Sequence, residues 1–406
     1  MPKFSSICFA KQKKTEAQNL CTIIFLNALN RVILTGNYHT FASTASQSNY
    51  PMTQEKSTAE KRKTEYRQRE EEGRELLVNS FGCKLGLSDN QVTVKKDGRT
   101  TIKRRADMLS RITISSNGVS LSSNLIFFCL DNGITIDFFN NGGRHAGSVL
   151  SVKYMEGTLW SRQSQCSTEQ RMELASKFLE AKVRNQFSLV KYFHKYHKLN
   201  HEALAERYEA FAALADELHS FLRTTDVGEA NFMTSLLAFE SQGAVKYWAY
   251  IRELLSDDKV AFERREHNGA TDLVNCMLNY GYAMLYSRVW QALLAAKLNP
   301  FDSIIHVRQD NKPTFAYDVV EMFRSQVVDR VVIKLIQKQT DLSVANGLLT
   351  EETKKALAAE ILQRLNRREK YRAERLSMEQ IIRRQAKEIA DFIDMQEPYK
   401  PYIAKW

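Results

Sequence analysis

Proline is scarce, with only six in 406 residues. A proline inside a helix removes a hydrogen bond and clashes with the preceding turn, so this scarcity leaves room for long uninterrupted helices. Paired cysteines are also lacking. Cys8, Cys21, Cys83, Cys129, Cys166 and Cys276 are scattered without a CxxC pair, which excludes a zinc knuckle or a CxxC redox motif and leaves idle thiols in a reducing cytosol. No apolar run reaches the roughly twenty residues that a membrane span needs. The longest, LCTIIFLNALNRVILTG, is interrupted by Asn27, Asn30 and Arg31, and it reads as neither a span nor a signal peptide. Internal repeats of solenoid length are absent. The expectation is a cytoplasmic protein that does not engage a membrane.

What is present is positive charge. Lys and Arg number 58 against 47 Asp and Glu, a balance that attracts polyanions, nucleic acid above all. The length suits two domains.

Residues 1–54 are basic and Ser/Thr-rich, with one acidic residue before Glu55, and stand apart as an atypical extension. The run over 55–75, EKSTAEKRKTEYRQREEEGRE, is too charged to bury a face and reads as a helical linker. Strand signals follow over 76–155. VTVKKDGRTTI sets Asp97-Gly98 between alternating runs, ITISSNGVSLS does the same with Asn117-Gly118, and ITIDFF precedes the turn NNGG. After about Ser167 the period becomes helical: Met172, Ala175, Leu179 and Val183 share one face. The expected class is α+β, a small N-terminal β-strand domain followed by a larger all-helical domain over 156–406.

One helix carries candidate chemistry. In TFAYDVVEMFRSQVVDRVVI, Ala316, Val319, Val320 and Phe323 point to a core, while Asp318 and Glu321 lie about one turn apart on another face. Pro313 and Thr314 start the helix, and the linker RQDNK can fold His306 back towards the acids. The acids could merely complement the helix dipole. Glu240, however, sits in SLLAFESQGAVKYWAYI on a helix otherwise suited to burial, and needs a partner or a metal. One imidazole with two or three carboxylates suits Mg²⁺ or Mn²⁺ better than a structural zinc. Such a site could polarise a phosphate.

These residues resemble the CRISPR-associated integrase (Cas-one endonuclease) of the spacer-acquisition module, over roughly Leu76 to Tyr402. The carriers are FESQGAVKYW, LNYGYAMLYSRVWQALLAAKLNPF, IIHVRQDNKP and AYDVVEMFRSQVVDRVV, in this order and spacing. AKVRNQ, RRQAKEIADFI, PYKPYI and the NNGGR turn add support. The resemblance implies that Glu240, His306 and Glu321 bind a divalent metal and form the catalytic centre, with Asp318 in a supporting role. It further implies a homodimer paired through the β domain, a small ferredoxin-like second subunit, and DNA as substrate. The chain departs from the family in reading Glu321-Met322-Phe323-Arg324-Ser325 where Glu-Pro-Phe-Arg-Pro is frequent, so the local helix geometry differs in expectation. The first 75 residues, which minimal members lack, read either as the remnant of a reverse-transcriptase fusion or as a start assigned too early, with Met52 as the true one.

Several other residues have two readings. His194, His197 and His201 do not share one helical face and are not taken as zinc ligands. The basic stretch QRLNRREKYRAERLSMEQIIRRQAKEI reads as one helix, whose Arg364, Arg367, Arg368, Arg383, Arg384 and Lys387 either face solvent or contact DNA. Arg308 and Arg324 are further DNA candidates. Asn279, Tyr280 and Tyr282 either join the core or line the pocket as supporting groups. The resulting expectation is a metal-dependent integrase that inserts short DNA into a CRISPR array by attack of a free 3′ hydroxyl. The rivals are a transposon-encoded integrase of the same superfamily and a catalytically idle DNA-binding scaffold.

Overall fold

The computed structural model describes residues 74–140, 145–152, 157–196, 202–256, 260–267, 269–306, 312–338 and 341–405. The expected extension over 1–54 lies outside them, as does nearly all of the charged linker over 55–75. All the described residues fall in one compact unit.

Strands begin where the charged run ends: β1 (Glu75–Val78), β2 (Lys84–Ser88), β3 (Gln91–Lys96), β4 (Arg99–Arg105), β5 (Arg111–Ile114), β6 (Ser120–Leu121), β7 (Thr135–Phe139) and β8 (His145–Val149). They form two four-stranded sheets, ordered β1-β5-β7-β8 and β4-β3-β2-β6. The Asp97-Gly98 hairpin is as expected, with β3 and β4 antiparallel and both turn residues at positive φ, 50° and 75°. Two successive left-handed residues match the twist of the flanking strands.

The Asn117-Gly118 signal misleads. β5 and β6 do not pair; β5 lies between β1 and β7 in the first sheet, while β6 runs parallel to β2 in the second. The reason is burial. Every residue of β5 is buried, the mark of a central parallel strand covered on both faces, so the turn carries the chain from one sheet to the other. The one α-helix of this region among the described residues is α1 (Ser123–Asp131), capped by the Ser122 hydroxyl accepting from the Leu125 amide.

The helical part contains α2 (Gly157–Ser164), α3 (Thr168–Tyr196), α4 (Glu202–Thr224), α5 (Phe232–Leu254), α6 (Leu273–Ala295), α7 (Thr314–Val320), a π turn (Ser325–Asp329), α8 (Arg330–Gln337), α9 (Glu351–Asn366) and α10 (Met378–Met395). Among the described residues, no helix is long and apolar enough to cross a membrane. The expected α3 face is right: Ala175, Leu179 and Val183 are buried, with Met172 packed at the edge.

"All-helical" needs correction. Two antiparallel ladders interrupt the helices: β9 (Val344–Ala345) with β10 (Leu348–Leu349), and β11 (Arg368–Tyr371) with β12 (Glu374–Ser377). The second ladder divides the basic stretch expected to be one helix. Arg372 turns the chain at φ 54°, and a capping box of Ser377 with Gln380 starts α10 afresh.

α7 ends at Val320, followed by a turn over 321–323 and then the π turn. The helix therefore breaks here even without the family's prolines. The Met322 carbonyl accepts from the Asn185 side-chain amide at 2.7 Å. That amide also donates to the Tyr402 carbonyl at 2.9 Å, and its oxygen accepts from the Ala404 amide at 2.8 Å. One buried side chain thus ties α3, the broken segment and the C-terminal segment together. Val319, Val320 and Phe323 are buried as expected, each contributing roughly 1.5–3 kcal/mol.

α6 packs against the broken segment through Gly281. A Cβ on Gly281 would lie 2.5 Å from Val328 Cγ1 and 3.0 Å from Ile361 Cδ1. Gly281→Ala is therefore expected to destabilise the fold by about 1–3 kcal/mol, as overpacking does, seen as a lower urea midpoint at unchanged slope.

The first sheet meets α6 through buried charge. Arg111 donates to Asp137 at 2.9 Å and to the Ser287 hydroxyl at 3.3 Å, and pairs with Gln291. Arg288 of α6 pairs with Glu75 of β1. Arg111 is 2% exposed and Asp137 fully buried. Asp137→Ala, which strips Arg111 of its nearer counter-charge and leaves Glu379 at 3.7 Å, should cost about 3–5 kcal/mol. Replacing both with Met and Leu should cost far less, and urea melts of the two variants compare them.

Candidate metal centre

Glu240 lies on α5, one turn before Gly243. A Cβ on Gly243 would sit 3.3 Å from Val183 Cγ2, so α5 packs closely on α3 here. That packing brings Lys182, the neighbour of Val183, to Glu240. Glu321 arrives from the break after α7. The Lys182 ammonium bridges the two carboxylates, pairing with Glu240 and standing 3.0 Å from Glu321 Oε2.

Glu321 also pairs with Arg324. Burial alone would raise the pKa of its carboxyl group, but Arg324 and Lys182 overcome burial and hold it at about 2. Behind this pair, the guanidiniums of Arg324 and Arg265 lie over the Tyr282 ring, at 4.8 and 5.2 Å. The Tyr282 hydroxyl donates to Asp329 at 2.6 Å and the Tyr247 hydroxyl to the other oxygen at 2.7 Å. Burial raises the pKa of Asp329, against the hydrogen bonds of both tyrosines.

Asp318 has different partners from Glu321. Fully buried, it accepts from the Ser303 hydroxyl at 2.8 Å and from the amides of Ile304, Ile305 and His306 at 2.7, 3.0 and 3.2 Å. It also binds His306 Nδ1. His306 is thus fixed in the position the sequence suggested, although residues 307–311 between it and the helix are not described. With Nδ1 protonated towards Asp318, Nε2 carries the outward lone pair. The His306 side chain is 48% exposed. Its pKa is raised by the Asp318 hydrogen bond, against burial.

Glu240 and Glu321 are therefore brought together on one ammonium, and His306 is held by Asp318 on the helix that leads into Glu321. Among the described residues no three acidic, His or Cys side chains close into a cage. The donor chemistry nonetheless fits a hard divalent cation. It consists of two carboxylates already converged on positive charge and one oriented, accessible imidazole.

The remaining expected residues are placed as follows. Asn279, Tyr280 and Tyr282 line a cavity of about 1220 Å³ with Arg265, His267 and Arg324. Asn279 accepts from Arg265 at 2.5 Å and donates to the His267 carbonyl at 3.2 Å. Tyr280 and Tyr282 are buried rather than exposed. Arg383, Arg384 and Lys387 pair with Glu379, Glu374 and Asp391 in solvent. Arg364 is no surface contact: it is buried, donates to the Gln326 carbonyl at 2.7 Å and pairs with Glu369. His194 stacks on Tyr208 at 4.2 Å. Arg308, His197 and His201 lie outside the described residues.

Lys182, Arg265, His267 and Asp329 escape a reading of the sequence. Burial, then Arg265 and Arg324, lower the pKa of His267. Asp329 carried a signal, being an acid inside the apolar run VVDRVV, the same anomaly that marked Glu240.

Residues 76–363 match the family model described as CRISPR associated protein Cas1. The Archaeoglobus fulgidus protein named CRISPR-associated endonuclease Cas1 1 is 28% identical over 349 residues, covering 82% of this chain and 99% of that protein. The Francisella tularensis subsp. novicida protein of the same name is 30% identical over 338 residues, again covering 82% and 99%. Among solved structures, a casposase bound to its integration product shares the fold, with a TM-score of 0.65 at 20% identity over 81% of this chain and 92% of that one. The family model spans most of the chain and both relatives match nearly end to end, so the chain belongs to the CRISPR-associated Cas1 family.

Proposed function

We propose that this protein is a divalent-metal-dependent DNA integrase of CRISPR adaptation, acting in the cytoplasm. It joins the free 3′ hydroxyl of a short DNA fragment to a phosphodiester of the repeat. The carrying observation is the convergence of Glu240 and Glu321 on Lys182, with the His306 imidazole held through Nδ1 by Asp318, on the helix that leads into Glu321. Both named relatives are called endonucleases, which favours the CRISPR reading over a transposon integrase, for which the fold alone speaks.

Glu240, His306 and Glu321 would hold Mg²⁺ or Mn²⁺. When bound, the ion would polarise the scissile phosphate and stabilise charge on its oxygens. The protein supplies the rest. Arg324 keeps Glu321 ionised, Asp318 fixes the imidazole so that Nε2 faces outward, and the basic surface holds the phosphodiester backbones. The fragment's 3′ hydroxyl makes one phosphodiester bond as the repeat's 3′ oxygen leaves with the proton. Bond count is conserved, so the chemical step needs no ATP and runs in reverse as disintegration. The reading includes a homodimer paired through residues 76–155, catalysis by 156–406, and a small ferredoxin-like second subunit.

The test mixes purified protein, with and without that subunit, with short duplexes and a CRISPR plasmid in Mg²⁺ or Mn²⁺. Joining at the repeat borders should require metal and vanish in Glu240→Gln and His306→Ala. Undiminished joining in Glu240→Gln would sink the assignment. Asp318→Asn, which leaves the imidazole unsupported, should weaken Mn²⁺ binding roughly 10–100-fold, as read by titration calorimetry.

A further inference from the structure

The two carboxylates of this site come from separate segments, α5 and the turn after α7, yet they lie against the same ammonium. Lys182 pairs with Glu240 and stands 3.0 Å from Glu321, and all three side chains are largely buried. Like charges brought this close in a poorly solvated place repel unless a cation lies between them. Arg324 serves Glu321 from one side; the ammonium serves both carboxylates. Its chemistry suits a temporary hold. A lysine is a point charge on a flexible stem of four carbons, whereas an arginine fork locks into a planar pair. The packing at Gly243 acts on Val183, the residue beside the base of that stem, while the ammonium at its end is held by the two carboxylates alone among the ion pairs described.

A divalent cation binding Glu240 and Glu321 competes for the oxygens that Lys182 holds. We propose that Lys182 is a positioning residue, a built-in counter-ion that keeps Glu240 and Glu321 converged and that an entering divalent cation displaces. This rests on the metal reading above. The consequence has a sign that structural damage does not share. Damage to the site weakens metal binding, whereas removal of a competing charge strengthens it.

The experiment uses the full chain and Lys182→Met, which keeps the stem and removes the charge. It measures Mn²⁺ affinity by titration calorimetry and Tm with and without Mn²⁺. Lys182→Met should bind Mn²⁺ about tenfold more tightly, because a unit positive charge beside the ligands is gone. It should melt lower than wild type without metal, and gain more in Tm from Mn²⁺. Adding Glu240→Gln to Lys182→Met removes the repulsion and should restore the metal-free Tm towards wild type, the coupling a double-mutant cycle isolates. Lys182→Arg, which keeps the charge, should not tighten binding. Unchanged or weaker Mn²⁺ affinity in Lys182→Met, with wild type binding normally, would overturn the proposal. A wild type that binds no Mn²⁺ would overturn the metal reading instead. The counter-ion role would then be decided by the metal-free Tm, and an unchanged value in Lys182→Met would end it.

Discussion

Repulsion between Glu240 and Glu321 is the constraint around which this half of the molecule is arranged. α5 must approach α3 closely enough for Lys182 to reach across, which the missing side chain at Gly243 permits. The helix bearing Asp318 must also end at Val320, so that Glu321 can turn to the same ammonium while Asp318 stays buried under the His306 segment. A continuous α-helix would hold these acids on neighbouring turns of one face. The break gives them separate tasks, one holding backbone and imidazole, the other facing cations.

A broken helix leaves backbone groups without their usual partners. Here Asn185 takes the Met322 carbonyl, and the same side-chain amide group meets the C-terminal segment at Tyr402 and Ala404. Tyr402 stacks on Phe323 with ring centroids 5.7 Å apart, and Gln326 donates to the Asn185 carbonyl at 2.6 Å. Residues far apart in the chain therefore support one carbonyl beside Glu321.

The sequence disclosed what periodicity and turn chemistry control. The buried face of α3, the start of α7 at Thr314, the Asp97-Gly98 hairpin and the return of His306 to Asp318 were all legible, since each follows from local pattern. The Asn117-Gly118 crossover was not, because a turn residue reports that the chain bends and says nothing of which sheet receives it. The division of the basic stretch into α9, a ladder and α10 was hidden by its charges, which suit a helix or an exposed strand equally. Lys182 was hidden in another way. AKVRNQ carried the resemblance, but a lysine in a helix reads as solvated until the opposite helix is in place. Arg364 shows the converse error, a basic residue taken for surface that the fold buries against Gln326 and Glu369.

α6 touches both halves of the protein. At one stretch Ser287, Arg288 and Gln291 engage the buried charges of the first sheet; at another Tyr282 lies beneath Arg324, the arginine that grips Glu321. A helix is stiff along its axis, so α6 acts as a connecting rod. One rigid element thus carries both the partners of the sheet's buried charges and the ring beneath the arginine that grips Glu321.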